Sequence, residues 1–118
     1  MKISWFGSLS LLAIMSFALM PAPLLGQSPE TVSLFRHKCA ICHGNDGAAH
    51  TMKARKIEQQ DHVKVKDLRS AEVQSKLTDA QMAKFIADGK QPGMDGFGKE
   101  FTKAQIQDLV KYIRSLKQ

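Results

Sequence analysis

The chain has 118 residues, a formal charge of +6 and 7% aromatic residues. That length holds at most one sizeable domain, which excludes a multidomain enzyme. Acidic residues are interspersed among the basic ones and aromatics are few, which argues against a nucleic-acid platform and leaves a solvated basic face suited to a soluble acidic partner.

The N-terminal segment reads as a targeting signal. Lys2 precedes an apolar run from Ile3 to Met20, interrupted by Gly7 and serines, and Pro21-Ala22-Pro23 ends any helix. Residues 1–26 are therefore expected to be a signal peptide cleaved after Gly26, with Ala22 as a second cleavage point. Only if that segment stays uncleaved does it anchor the chain to a membrane. Residues 27–118 form the expected domain, with 16 basic and 11 acidic side chains. A domain this small buries little apolar surface and usually depends on a staple. Export points to an oxidising compartment. The two cysteines, Cys39 and Cys42, are too close in sequence for a disulfide between them to constrain the unfolded chain. A different group must supply the staple.

The first predicted helix starts at Ser28, with serine as N-cap, Pro29 at the first helical position and Glu30 favourable to the dipole. Val32, Phe35 and Cys39 share one face. Near its end stands Cys39-Ala40-Ile41-Cys42-His43, the attachment pattern of a c-type haem. The spacing has a physical reason. Thiols three residues apart on a helical turn project from the same side and can add to the two vinyl groups on one haem edge. The next residue, His43, then offers an imidazole nitrogen to iron. Two rival readings exist. A thiol oxidoreductase would place such a pair at the start of a helix after a strand, where the dipole lowers the thiol pKa. Zinc could take Cys39, Cys42, His43 and His50, but the spacing is unlike that of known zinc modules.

Gly44-Asn45-Asp46-Gly47 reads as a turn. The polar stretch up to Lys66 has no clean periodicity and is expected to be loop with at most one helical turn. Ser70 is a candidate cap for a short helix carrying Ala71, Val73 and Leu77. Leu77-Thr78-Asp79-Ala80-Gln81-Met82 and Phe101-Thr102-Lys103-Ala104-Gln105-Ile106 are matching helix starts. Each has a threonine cap, a glutamine that caps back and an apolar staple pair. The first of these helices carries Met82, Phe85 and Ile86 and stops at Gly89. The second carries Ile106, Leu109, Val110, Ile113 and Leu116 as an apolar stripe. The loop between them, from Lys90 to Gly98, is rich in glycine and contains Met94. No segment reads as a strand, so the fold class is all-α.

From these residues the chain resembles the small single-haem class I cytochromes c of bacteria. The likeness is carried by Cys39 through Gly47, by Leu77-Thr78-Asp79 with Asp88-Gly89-Lys90, and by Asp108 through Leu116. It implies about four helices packed around one covalent haem. It also implies a methionine as second axial ligand in the loop between the last two helices, the place that Met94 occupies. Met82 falls on an apolar helix face and Met52 in an unpatterned stretch, so Met94 is favoured on the residues as well. Two departures stand out: Gly47 is followed by Ala48 rather than proline, and Met94 by Asp95. The carbonyl that orients His43 is expected within residues 47–53. The resemblance also implies that an aromatic on the first helix and one on the last, Phe35 and Tyr112, meet where the two cross.

The expected function is one-electron transfer by a periplasmic carrier that is not an enzyme, with cofactor contacts from Cys39, Cys42, His43 and Met94 and iron ligation by His43 and Met94. Lys38, Lys53, Lys90 and Lys99 are candidates for steering an acidic redox partner. The alternative is a haem c subunit of an exported oxidoreductase complex. A third reading is a gas sensor or peroxidase with open iron.

Overall fold

The computed structural model describes residues 27–117, so the expected signal segment 1–26 lies outside the described residues. Helices and loops make up the fold. The first helical run, α1 (residues 29–43), joins α-helical Pro29–Leu34, a π-helical turn Phe35–Cys39 and an α-helical turn Ala40–His43. It is followed by α2 (Met52–Asp61), α3 (Ala71–Lys76), α4 (Asp79–Asp88) and α5 (Lys103–Ser115). No sheet forms among the described residues, where the only β-type pairing is an isolated bridge between Lys90 and Met94.

The helix starts follow from their caps. Ser28 Oγ accepts the Thr31 amide at 3.1 Å. The Gln81 amide reaches Thr78 Oγ1 at 3.2 Å, while the Thr78 amide reaches Gln81 Oε1 at 2.8 Å. Thr102 and Gln105 repeat this reciprocal pair at 2.9 and 3.2 Å. Each arrangement satisfies amides that the first turn leaves without intrahelical partners.

The core forms where α1, α4 and α5 meet. Phe35 and Leu109 are fully buried, and Ala40, Val73, Met82, Ile86, Phe101, Ile106, Val110 and Ile113 complete the cluster. Each of the larger side chains contributes about 1.5–3 kcal/mol on leaving water. The crossing of α1 and α5 is marked by Phe35 and Tyr112, whose ring centroids stand 4.9 Å apart at 57°. Arg114 of α5 ties down the α3–α4 corner. Its guanidinium donates to the Val73, Gln74 and Leu77 carbonyls and to the Asp79 carboxylate.

The structure departs from the expected loop after the attachment motif, because α2 is a helix of 10 residues. Thr51 caps it by accepting the Ala54 amide at 3.0 Å. Only Ala54 and Ile57 of α2 are buried, so its apolar stripe is a single contact three residues apart. Such a helix is held by tertiary packing and its cap, which a periodicity argument does not detect.

Candidate functional site

The site begins at the C-terminal end of α1. The Ala40 amide donates to the Phe35 carbonyl, five residues back, which widens the turn just before the cysteines. Such π turns inside α-helices recur at functional sites. The helix stops directly after His43, where Gly44 takes φ +78°. Cys39 and Cys42 are both half-buried and unpaired.

Burial, and secondarily the neighbouring Cys42, pushes the Cys39 thiol up to about 11. Burial also raises Cys42, with Lys53 pulling it down and Asp95 pushing it up. Raised thiol pKa values run against the low-pKa thiolate that a thiol oxidoreductase uses. Zinc fares no better: among the described residues no group of three or more His, Cys, Asp or Glu side chains is arranged to hold a metal ion.

His43 is fixed through one nitrogen. Its Nδ1 lies 3.1 Å from the carbonyl of Lys66, in the segment after α2. As donor to that carbonyl, Nδ1 carries the proton and Nε2 is left with a free lone pair. Burial lowers the His43 pKa, and the Lys66 bond opposes this in part. The neutral ring with a free Nε2 is the metal-binding form. The orienting carbonyl thus comes from Lys66, outside the expected span 47–53. A carbonyl is common to every residue, so no sequence signal marks it. Thr51 is a second contributor that the sequence reading missed. Its hydroxyl donates to the Cys42 carbonyl at 2.9 Å while capping α2, and so locks the attachment turn to that helix. A Thr just before a helical stretch is a capping signal, but the stretch itself was not legible.

Met94 sits in the α4–α5 connection, which folds tightly onto the end of α4. Lys90 and Met94 exchange backbone hydrogen bonds at 2.9 and 3.1 Å, and the Phe97 and Gly98 amides bond to the Ile86 and Ala87 carbonyls. Two glycines permit this approach. Gly89 has φ +77°, and a Cβ there would stand 2.6 Å from the Met94 carbonyl oxygen. A Cβ on Gly96 would stand 2.6 Å from the Asp88 carbonyl carbon. Met94 is half-buried and packs against the core cluster. Neighbouring Gly93 faces Ile57 of α2 and Val63. The other two methionines of the described region lie elsewhere: Met82 is 4% exposed in the core, and Met52 is 77% exposed. His37, His50 and His62 are also on the surface.

Comparison with known proteins bears on the family and the fold. The family described as "Cytochrome C oxidase, cbb3-type, subunit III" matches residues 28–113. Among solved structures, the c-type cytochrome KustC0563 is 25% identical with a TM-score of 0.64, the match covering 75% of this chain and 98% of that one. A mutant of the same cytochrome is 26% identical with a TM-score of 0.62, covering 74% of this chain and 98% of that one. Cytochrome CL from the marine methylotrophic bacterium Methylophaga aminisulfidivorans shares the fold at 20% identity and a TM-score of 0.50, covering 80% of this chain and 58% of that one. No curated protein matches the chain. The match over residues 28–113 spans most of the chain, which therefore belongs to the family of c-type cytochrome domains described as cbb3-type cytochrome c oxidase subunit III, a family of electron-transfer proteins that carry covalent haem c.

Proposed function

We propose that this chain is an exported, periplasmic one-electron carrier with one haem c attached through Cys39 and Cys42 and ligated by His43 and Met94. The observation that carries the proposal is His43. It directly follows two unpaired thiols and has Nδ1 engaged by the Lys66 carbonyl, so Nε2 is the nitrogen left for iron. The donor set fits the group: two thiols suited to thioether bonds on one helical turn, a neutral imidazole, and a thioether held against the core. Bound there, the haem supplies Fe(III)/Fe(II) cycling at a potential raised by His/Met ligation.

The protein's own residues would hold the two iron ligands in place. Thr51 locks the attachment turn, Lys66 sets the imidazole plane, and the Gly89/Gly96 contact holds the Met94 loop inward. With both His43 and Met94 on the iron no position would be left for substrate, so the reading is a carrier and not an enzyme. An acidic redox partner fits the basic surface, although Lys38 is already paired with Glu100 at 2.6 Å. Lys53, Lys90 and Lys99 form no ion pair among the described residues.

The test is a redox titration of the exported holoprotein combined with carbon monoxide exposure. A one-electron slope of about 59 mV per decade is expected. The reduced spectrum should not change under carbon monoxide, whereas Met94→Ala should open the iron and bind it. Carbon monoxide binding by the unsubstituted protein would overturn the closed-iron reading.

A second reading, a haem subunit of an exported oxidase complex, is favoured by the family description. It predicts that the chain fractionates with a larger membrane assembly in its source organism rather than alone.

A further inference from the structure

The segment that presents the Lys66 carbonyl to His43 is also gripped from the last helix. Gln74, on α3, donates from its side-chain nitrogen to two carbonyls, Leu68 at 2.6 Å and Ile113 at 2.9 Å. Leu68 stands two places after Lys66, and Ile113 belongs to α5, 39 residues beyond Gln74. The main chain of Gln74 is held by α5 as well, because Arg114 donates to its carbonyl at 2.6 Å.

Gln74 uses one end of its amide only. Nε2 carries two protons, and the two carbonyls take them. Oε1 is buried and has no hydrogen-bond partner. Turning the amide over gives no relief, since it would set an oxygen against both carbonyl oxygens. A buried acceptor left unpaired destabilises a fold. Local pairing therefore does not account for this side chain, whereas the bridge it makes between Leu68 and Ile113 does.

The bridge closes a circuit of contacts around His43. The imidazole at the end of α1 meets the Lys66 carbonyl at 3.1 Å. Leu68 is held on one side by its own amide, bonded to the Gly47 carbonyl at 2.8 Å, and on the other by Gln74. From Ile113 the circuit returns to α1 through its neighbour Tyr112, whose ring packs on Phe35. A shift of the Lys66 carbonyl must stretch one of these links.

We propose that Gln74 is a positioning residue for the axial imidazole: by tying Leu68 to α5 it fixes the Lys66 carbonyl, and through it the plane and donor strength of His43. The inference rests on His43 as iron ligand, the reading given above. A hydrogen bond given by Nδ1 makes a ligating imidazole more basic. A more basic ligand favours Fe(III), so loosening the tie should raise the midpoint potential.

The test compares the exported holoprotein with Gln74→Met, which keeps the length of the side chain and removes both donors. The unpartnered oxygen goes too, which offsets part of the loss and favours a folded variant. At a fixed applied potential the Fe(III)/Fe(II) ratio of Gln74→Met should fall about threefold or more. The hyperfine-shifted proton resonances of the oxidised protein, which report the plane of an axial imidazole, should move with it. Thr102→Ala is the control: it breaks the cap at the opposite end of α5 from Ile113 and destabilises the helix without touching the tie. It should leave potential and resonances in place. In the diamagnetic Fe(II) form of the unsubstituted protein, both Gln74 side-chain amide protons should exchange slowly with heavy water, a measurement that does not depend on any variant folding. Rapid exchange of those protons, an unmoved potential in Gln74→Met, or equal shifts in Gln74→Met and Thr102→Ala each overturn the proposal. An oxidised unsubstituted protein with no hyperfine-shifted signal from the His43 ring is a different failure, that of the ligand reading, and the proposal falls with it.

Discussion

His43 shows what a single residue's surroundings accomplish. Its proposed role as a ligand follows from Cys39 and Cys42, but its orientation depends on a backbone carbonyl 23 residues away. The segment that delivers this carbonyl is itself pinned. The Leu68 amide bonds the Gly47 carbonyl at 2.8 Å, and Asp67 is clasped by Arg69 through two side-chain bonds of 3.0 Å. Those hydrogen bonds, with the Arg69 charge, hold the Asp67 carboxyl below the ordinary aspartate range. A carboxylate with a depressed folded-state pKa adds stability that is present above its unfolded value and lost as pH falls through the folded one. Arg69→Gln should therefore be destabilising at neutral pH, and the difference from the unsubstituted protein should shrink below the ordinary aspartate pKa. Chemical denaturation at a series of pH values measures this. A difference that grows toward acid would contradict the clasp.

At the scale of elements, legibility follows how local the cause is. The starts of α1, α3, α4 and α5 were readable because caps and staples lie within a few residues of one another, and the structure places Ser28, Ser70, Thr78 and Thr102 in those roles. The π turn in α1 and the helix α2 were not readable. The first starts at the buried Phe35 with no local signal in its residues, and the second has only Ala54 and Ile57 facing inward. The ion pair of Lys38 with Glu100 joins residues 62 apart, beyond any local pattern. The Met94 connection lies between these cases. Its glycines announce an irregular loop, while the backbone contact of Gly89 with Gly96 is a tertiary fact. A Cβ at Gly96 meets Asp88 and Ala87 backbone atoms at 2.6–2.7 Å, so the loop must move. Gly96→Ala is expected to cost about 1–3 kcal/mol, as overpacking does, and to weaken Met94 ligation. At Gly98 the nearest atom would be 3.0 Å away, so Gly98→Ala should cost less. Thermal unfolding of the two variants, followed with the methionine–iron charge-transfer band, separates them. Equal losses would deny the special role of the Gly89–Gly96 contact.

The whole molecule is small for what it must hold together. Among the described residues the largest fully buried side chains are Phe35 and Leu109, and α2 contributes little to the main cluster. A covalently bound haem would add substantially to so modest a core. Cys39→Ala/Cys42→Ala should therefore lose most of its cooperative thermal transition, as measured by circular dichroism, and should accumulate poorly. A variant that melts as sharply as the parent would show that the helices hold without the group.

The account stands most directly on the covalent bond. The exported protein should be denatured, extracted with acidic acetone, digested and weighed by mass spectrometry. The peptide containing Cys39 and Cys42 is expected to carry the mass of one haem, with no haem released into the solvent. An unmodified peptide with both thiols free, or haem recovered in the acetone, would contradict it.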